Sequence, residues 1–399
     1  MKSGETNITH SASTRDVLCF SHLRWNFVFQ RPQHLMTRFA AERRVFFFEE
    51  PMFDASAPWL ETYRDGGVSV AVPHLPAAQP DAARRAALRS LLLDLMATQQ
   101  IDRPLCWYYT PMALEFSKGI AHAGIVFDCM DELSAFAGAP PSLLALEREL
   151  LSIATIVFTG GQSLYEAKRQ KHPRVYAFPS SVDVAHFARA RARQAEPADQ
   201  AGIPHPRLGF YGVVDERMDL DLMEAVARER EQWHQVILGP CVKIDEARLP
   251  RRPNIHYLGM KRYEDLPGYL SGWDVALLPF ARNESTRYIS PTKTPEYLAA
   301  GRPVVSTSIT DVVRPYGRLG LVGIADRPSD FIAQIERALT TRDPGWLPRV
   351  DQFLADLSWD RTWASMRSLV DQATVRSAVS APAPDARRIQ ADSEGRLAL

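Results

Sequence analysis

Short apolar runs recurring between amphipathic stretches constrain this chain more than any other feature. "DVLCF" (16–20), "VFFFEE" (45–50), "CWYY" (106–109), "IVFD" (125–128) and "TIVFTG" (155–160) each have the length of a buried strand. Several are separated by helical patterns, "PQHLMTRFAAE" (32–42), "ARRAALRSLLLDLMA" (83–97) and "SLLALERELLSIA" (142–154). The rhythm restarts with "LGFYG" (208–212), "HQVILG" (234–239), "IHYLG" (255–259), "DVALLP" (274–279) and "PVVST" (303–307). A strand that is apolar throughout needs cover on both faces, and the helix after each strand supplies it. The pattern therefore predicts parallel βαβ units and an α/β fold.

A chain of 399 residues exceeds what one hydrophobic core usually organises, so two domains are expected. The expected division is a first domain over 16–187, a linker over 188–206 and a second domain over 207–357. The linker "ARARARQAEPADQAGIPHP" is rich in Ala, Arg and Pro and carries no strand signal. Residues 1–15 are polar, and 374–399 turn to Ala, Ser, Pro, Asp and Arg; both ends are expected to be disordered. Two such domains form a cleft, and ligands of parallel sheets sit at the carboxyl ends of the strands.

Hydrophobic content of 46% and charged content of 24% suit a globular enzyme. Lys+Arg and Asp+Glu balance at 47 each, which argues against a nucleic-acid partner held by global positive charge. Cys19, Cys106, Cys129 and Cys241 are scattered without a CxxC pair. Neither a metal nor a disulfide framework is expected, and a reducing cytoplasm fits. No run approaches 18 apolar residues and the N-terminus is polar, so neither a membrane span nor a secretory signal is expected.

"SPTKTPEYLAAGRPVV" (290–305) places two prolines ahead of a short helical stretch. Ser290-Pro291 and Thr294-Pro295 each read as an N-cap with a first-turn proline, and Gly301 as the left-handed stop. With a start at Ser290, the amides of Thr292, Lys293 and Thr294 are free, and with the Lys293 ammonium they make a site for a diphosphate. Pro295 lacks the amide that would tighten this turn, and Glu296 projects from the same end, where a carboxylate accepts from ribose hydroxyls. The alternative is a solvated cap with Lys293 and Glu296 in water.

That stretch resembles the signature of the retaining GT-B glycosyltransferases of family 4, whose second Glu is followed by an "EYLAxGxPVV"-like run. Glu296 with "YLAAGRPVV" matches it, whereas Tyr288 stands where the family's first Glu lies; a subgroup carries "SPxKxxEYLA" instead, as here. "FPSSVDVAHF" (178–187) is similar to the "PNGVDxxxF" crossing, and "IHYLGMKRYEDLPGYLSGWDVALLPF" (255–280) to the "ELPxYLxxADVxLLP" run. "WNFVFQRPQHLM" (25–36) resembles the opening of teichuronic-acid and exopolysaccharide transferases of this group. The resemblance spans about residues 16–372. It implies a GT-B fold, two Rossmann-like domains facing a cleft, with donor bound by the second and acceptor by the first. It also implies that a helix opened by "SWDRTW" (358–363), over 358–373, crosses back to the first domain.

In the family, a glycine and a basic residue after the first strand of the second domain face the donor phosphates. Here they are Gly212 and Arg217, and an Arg forks well onto phosphate. The alternative is a surface Arg paired with Asp215 or Asp219. In the first domain, Arg24 and Arg31 are candidates for phosphate and Trp25 for stacking on a sugar, against a reading of Trp25, Phe27 and Phe29 as local core. Asp128 and Asp131 lie at the end of a strand on the acceptor side. Either is placed to orient an acceptor hydroxyl or take its proton, or to cap the next helix. Cys129 has no evident His partner to activate it.

The expectation is a cytoplasmic transferase, at the inner face of the membrane or free of it, using a nucleotide diphosphate sugar, with UDP favoured. Its partners are that donor and a glycan or lipid-linked acceptor in cell-surface or exopolysaccharide synthesis. Helix amides, Lys293 and Arg217 stabilise the departing diphosphate, so neither a metal nor another cofactor is called for. The alternatives are a nucleotide-sugar epimerase on the same fold and a non-catalytic sugar-nucleotide-binding subunit.

Overall fold

The computed structural model describes residues 15–192, 194–341 and 343–380, which contain two sheets. The first is built from β1 (Val17–Ser21), β2 (Val45–Glu49), β3 (Trp59–Asp65), β4 (Val68–His74), β5 (Leu105–Tyr108), β6 (Gly124–Cys129), β7 (Ile156–Thr159) and β8 (Val175–Ala177). Their order is β3-β4-β2-β1-β5-β6-β7-β8, parallel throughout except for β3, which runs antiparallel to β4. The second contains β9 (Arg207–Tyr211), β10 (His234–Leu238), β11 (Ile255–Gly259), β12 (Val275–Leu278), β13 (Val304–Ser306) and β14 (Val322–Ile324). Its order, β11-β10-β9-β12-β13-β14, is all parallel and is that of a doubly wound dinucleotide-type sheet.

The apolar runs do in the structure what their composition requires. Along β1, Leu18 and Phe20 enter one core with Phe48, Tyr108 and Phe127, while Val17 and Cys19 enter another with Phe47, Trp107 and Phe158. Both faces are thus buried, as helices on each side demand. Each fully buried Phe contributes about 1.5–3 kcal/mol, so this aromatic double core is a large share of what holds the first sheet. Cys19, Cys106 and Cys129 are buried free thiols within it.

Four strands escaped the apolar-run reading. β3 and β4 form a hairpin turned by Gly66 and Gly67, whose φ values of +54° and +84° suit a tight primed turn. Most of β3 faces solvent, so "WLETYRD" shows little hydrophobic signal; the cue was the Asp-Gly-Gly after it. The edge strands β8 and β14 have three residues each, too short for periodicity.

The segment 188–206, expected as a polar linker, is packed on the second unit. Gln200 is buried, donates to Tyr269 O at 3.1 Å and accepts from Trp273 Nε1 at 2.9 Å. The last helix, Trp359–Ser380, runs on past residue 373, so 374–380 are helical rather than disordered; residues 1–14 and 381–399 lie outside the described residues. Trp359, Met366, Val370 and Ala373 of this helix join the first unit's core.

The two units meet through specific contacts. Ser163 N–H donates to Asp311 Oδ1 at 3.0 Å, and Arg314 pairs with Glu166 at 3.3 Å. A file of rings also crosses between them. Trp359 stacks on His34 at 4.4 Å, His34 meets Phe29 edge-on, Phe29 meets Tyr263 at 4.8 Å, and Tyr263 stacks on His186 at 4.3 Å.

Candidate active site

At the carboxyl edge of the second sheet, β9 ends at Tyr211 and the chain turns at Gly212 with φ +144°. Gly212 N–H donates to Leu238 O at 2.9 Å, bringing the ends of β9 and β10 together. A Cβ on Gly239 would lie 1.9 Å from Gly212 O, so this approach requires glycine at 239 as well. The turn opens a backbone surface over which a side chain from the next element can lie.

That side chain is Lys293. The helix Lys293–Ala299 starts at Lys293, between the two starts that the prolines allowed, and stops at Gly301 with φ +70°. The Thr294 amide donates to Pro291 O at 3.1 Å and its side chain is fully buried away from the cavity. Thr294 is therefore neither a free donor nor a lining residue, which corrects the expectation for it. Lys293 and Glu296, three apart, share one helix face, and with Thr292 they line a cavity of about 500 Å³ between the units.

Glu296 is 7% exposed and accepts from the Tyr211 hydroxyl at 2.5 Å. Burial pushes its carboxyl up to about 7, against the opposing pull of Lys293 and the Tyr211 hydroxyl. The same burial lowers the Lys293 ammonium, while Glu296 supports its charge. Tyr297, next on the helix, accepts from Tyr211 N–H at 2.9 Å and so fixes β9 to the helix. The solvated-cap alternative fails because these groups are enclosed and face one another.

Arg217 forks onto Asp215, with Nε–Oδ1 at 2.9 Å and an outer nitrogen on Oδ2 at 2.6 Å. The pairing alternative was right for Asp215, yet the guanidinium also lies 5.4 Å above the Phe136 ring of the opposite unit. Asp131, half-buried and across the gap, has its carboxyl raised chiefly by burial, with Arg217 and then Lys293 as the leading cations that oppose the rise. Its carboxyl is therefore felt by the second unit's cations across the gap.

The other first-unit candidates are committed to structure. Asp128 is fully buried under the Arg31 fork, at 2.8 to 3.1 Å, and Arg31 also donates to Phe178 O at 2.7 Å. Neither is available to an acceptor or a phosphate, which corrects both expectations. Arg24 pairs with Glu49 at 3.0 Å and donates to Glu50 O and Pro51 O, so it holds β2 rather than an open anion site. Trp25 donates from its ring to Asp65 at 2.8 Å and packs edge-on against Phe47, so local core is the right reading despite its place on the cavity wall.

Sequence reasoning missed Tyr211, whose phenol holds Glu296, and Tyr263, a ring on the cavity wall whose hydroxyl has no partner among the described residues. Tyr211 was in plain view in "LGFYG", read only as strand. Among the described residues, no group of three or more His, Cys, Asp or Glu is placed to hold a metal ion. No described helix is long and apolar enough to cross a membrane.

Residues 205–341, which carry this edge of the second sheet, match the family described as glycosyl transferases group 1. A putative teichuronic acid biosynthesis glycosyltransferase of Bacillus subtilis (strain 168) is 24% identical over 271 residues, covering 63% of this chain and 68% of the relative. Among solved structures, sucrose-phosphate synthase from Thermosynechococcus elongatus is similar with a TM-score of 0.66 at 15% identity, covering 91% of this chain and 100% of that one. An α,α-trehalose-phosphate synthase (UDP-forming) from Burkholderia xenovorans, in complex with glucose-6-phosphate, gives 0.64 at 14%, covering 90% and 99%. The fold is GT-B, and the second unit carries a glycosyltransferase group 1 domain.

Proposed function

We propose that this chain, a glycosyltransferase of GT-B fold, moves a sugar from a UDP-sugar to a glycan or lipid-linked acceptor, with retention, in cell-surface or exopolysaccharide synthesis at the cytoplasmic side of the membrane. The observation that carries the donor assignment is Glu296 held by Tyr211 beside Lys293, under the open backbone of Gly212. The similarity to a teichuronic acid biosynthesis glycosyltransferase motivates the polysaccharide role, and glycosyltransfer with retention by trehalose-6-phosphate synthase, a protein of similar fold, motivates the stereochemistry.

In this reading Glu296 accepts from the donor ribose, and Lys293 and Arg217 take the diphosphate. Negative charge grows on the diphosphate as the glycosidic bond lengthens. Two fixed cations in an enclosed site stabilise it more than water does, because they need no reorganisation as it forms. Asp131 faces the same cations from the first unit, where it orients the acceptor hydroxyl and accepts its proton.

The test is incubation with a panel of UDP-sugars, with and without candidate acceptors. UDP released only with acceptor, and a product of unchanged anomeric configuration, are expected. An isomerised sugar would point to an epimerase, and binding without turnover to a non-catalytic subunit.

A further inference from the structure

A second cavity, of about 510 Å³, lies in the first unit beyond the ends of β1 and β2. We propose that it holds a hydrocarbon group of the acceptor, making the acceptor an amphipathic molecule; this rests on the transferase reading above. The inner wall is apolar. Phe20, Phe48 and Phe116 pack on one another with ring centres 5.6 to 6.2 Å apart, and Leu88, Met112 and Phe53 extend the surface.

Several polar groups along this wall are already engaged, while Arg84, whose guanidinium lies 5.0 Å over the Phe53 ring, keeps a buried Nε with no partner among the described residues. Ser21 Oγ accepts from Leu23 N–H at 2.9 Å, and Thr110 Oγ1 from Met112 N–H at 3.3 Å. Glu49 takes Trp25 N–H at 2.7 Å and Arg24 at 3.0 Å. A polyhydroxylated group pushed inside would lose water and find few partners. An alkyl or acyl chain loses nothing there and gains burial. Phe53, 46% exposed at the rim, is an apolar surface that such a chain would cover.

The mouth is different. It carries Glu50, His22 and Lys243, and Lys243 is the single lining residue from the second unit among those described. Lys243 lies 5.9 Å from the centre of the Phe136 ring, the same ring that Arg217 covers at 5.4 Å. Phe136 is thus a wall shared between this cavity and the cations assigned to the diphosphate. A hydroxyl at the mouth meets the transfer point while the chain behind it fills the cavity. The volume and lining are those of a small-molecule site, a mainly apolar body with a smaller set of polar groups.

Calorimetry with octyl β-D-glucoside below its micelle threshold, against methyl β-D-glucoside, tests this on the full chain. The octyl compound should bind at least about tenfold tighter. Phe53→Ser should remove most of that preference, leaving UDP affinity and the melting temperature unchanged. Equal binding of the two glucosides overturns the proposal. So does an octyl preference that survives Phe53→Ser, which marks adsorption elsewhere. An octyl preference lost in Phe53→Ser, in a protein that binds no UDP, sinks the transferase reading and leaves the cavity's specificity standing.

Discussion

A Cβ added to Gly212 would stand 3.1 Å from Cε of Lys293, so the lysine packs closely over this glycine and a larger residue would push it aside by a few tenths of an ångström. At φ +144° the position is also strained for any L side chain, at a cost on the order of 1–3 kcal/mol. Gly212→Ala should therefore displace Lys293 and weaken UDP binding about tenfold, with a loss of a few degrees in melting temperature. Calorimetry and a thermal melt separate the two effects. A variant that is destabilised yet binds UDP normally removes Gly212 from the donor site.

Glu296 makes stability depend on pH in a defined direction. Its carboxyl titrates at about 7 in the fold against 4.5 ordinarily, chiefly because of burial. Between those values the native state keeps a proton that the unfolded chain has released. Stability therefore falls as pH rises through this window and is flat above it. Glu296→Gln should recover on the order of 2–3 kcal/mol at pH 8 and little at pH 4. The same variant should bind UDP more weakly at pH 8, by about 1–3 kcal/mol for a bond to a charged acceptor. Melting curves that shift equally at both pH values contradict the buried-carboxyl account.

Asp131 should separate binding from transfer. Its charge acts on Arg217 and Lys293, so a diphosphate entering between those cations meets a carboxylate across the gap. Asp131→Asn should tighten UDP binding several-fold while lowering the transfer rate, because an amide cannot take the acceptor's proton. If both quantities fall together, Asp131 holds the site's shape rather than taking part in it.

Arg31 and Asp128 are expected to behave as a structural pair. Removing one partner leaves a buried charge, so Asp128→Asn should cost about 3–5 kcal/mol. The loss of activity should follow the loss of folded protein, and the pH profile of the remaining activity should be that of the native enzyme. A changed pH profile in fully folded Asp128→Asn would return this carboxylate to the reaction.

The sequence carried the architecture well because buried parallel strands must be apolar on both faces, and that requirement is visible one segment at a time. It carried β3 poorly because a strand exposed along most of its length and bearing charged residues has little apolar signal, and its buried partner β4 was passed over with it. At the site, Lys293 and Glu296 were legible because a proline-flanked helix start is a local pattern. Asp128 and Arg31 were misassigned because their burial against each other spans 97 residues of sequence. Nothing near either one announces the partner. Arg217 fell between, since its pairing with Asp215 is local and its place over Phe136 is not.

The central claim, that the Lys293–Glu296 edge holds a nucleoside diphosphate, is tested most directly by titrating UDP into the native chain and into Lys293→Ala at low and high salt. Lys293 lies over Gly212 on the cavity wall with Glu296, and a diphosphate there should lose about one to two orders of magnitude of affinity without it. The gap between native and variant should narrow at about 1 M salt, where charge pairs are screened within roughly 3 Å. An affinity for UDP that is the same in both proteins at low salt contradicts the account.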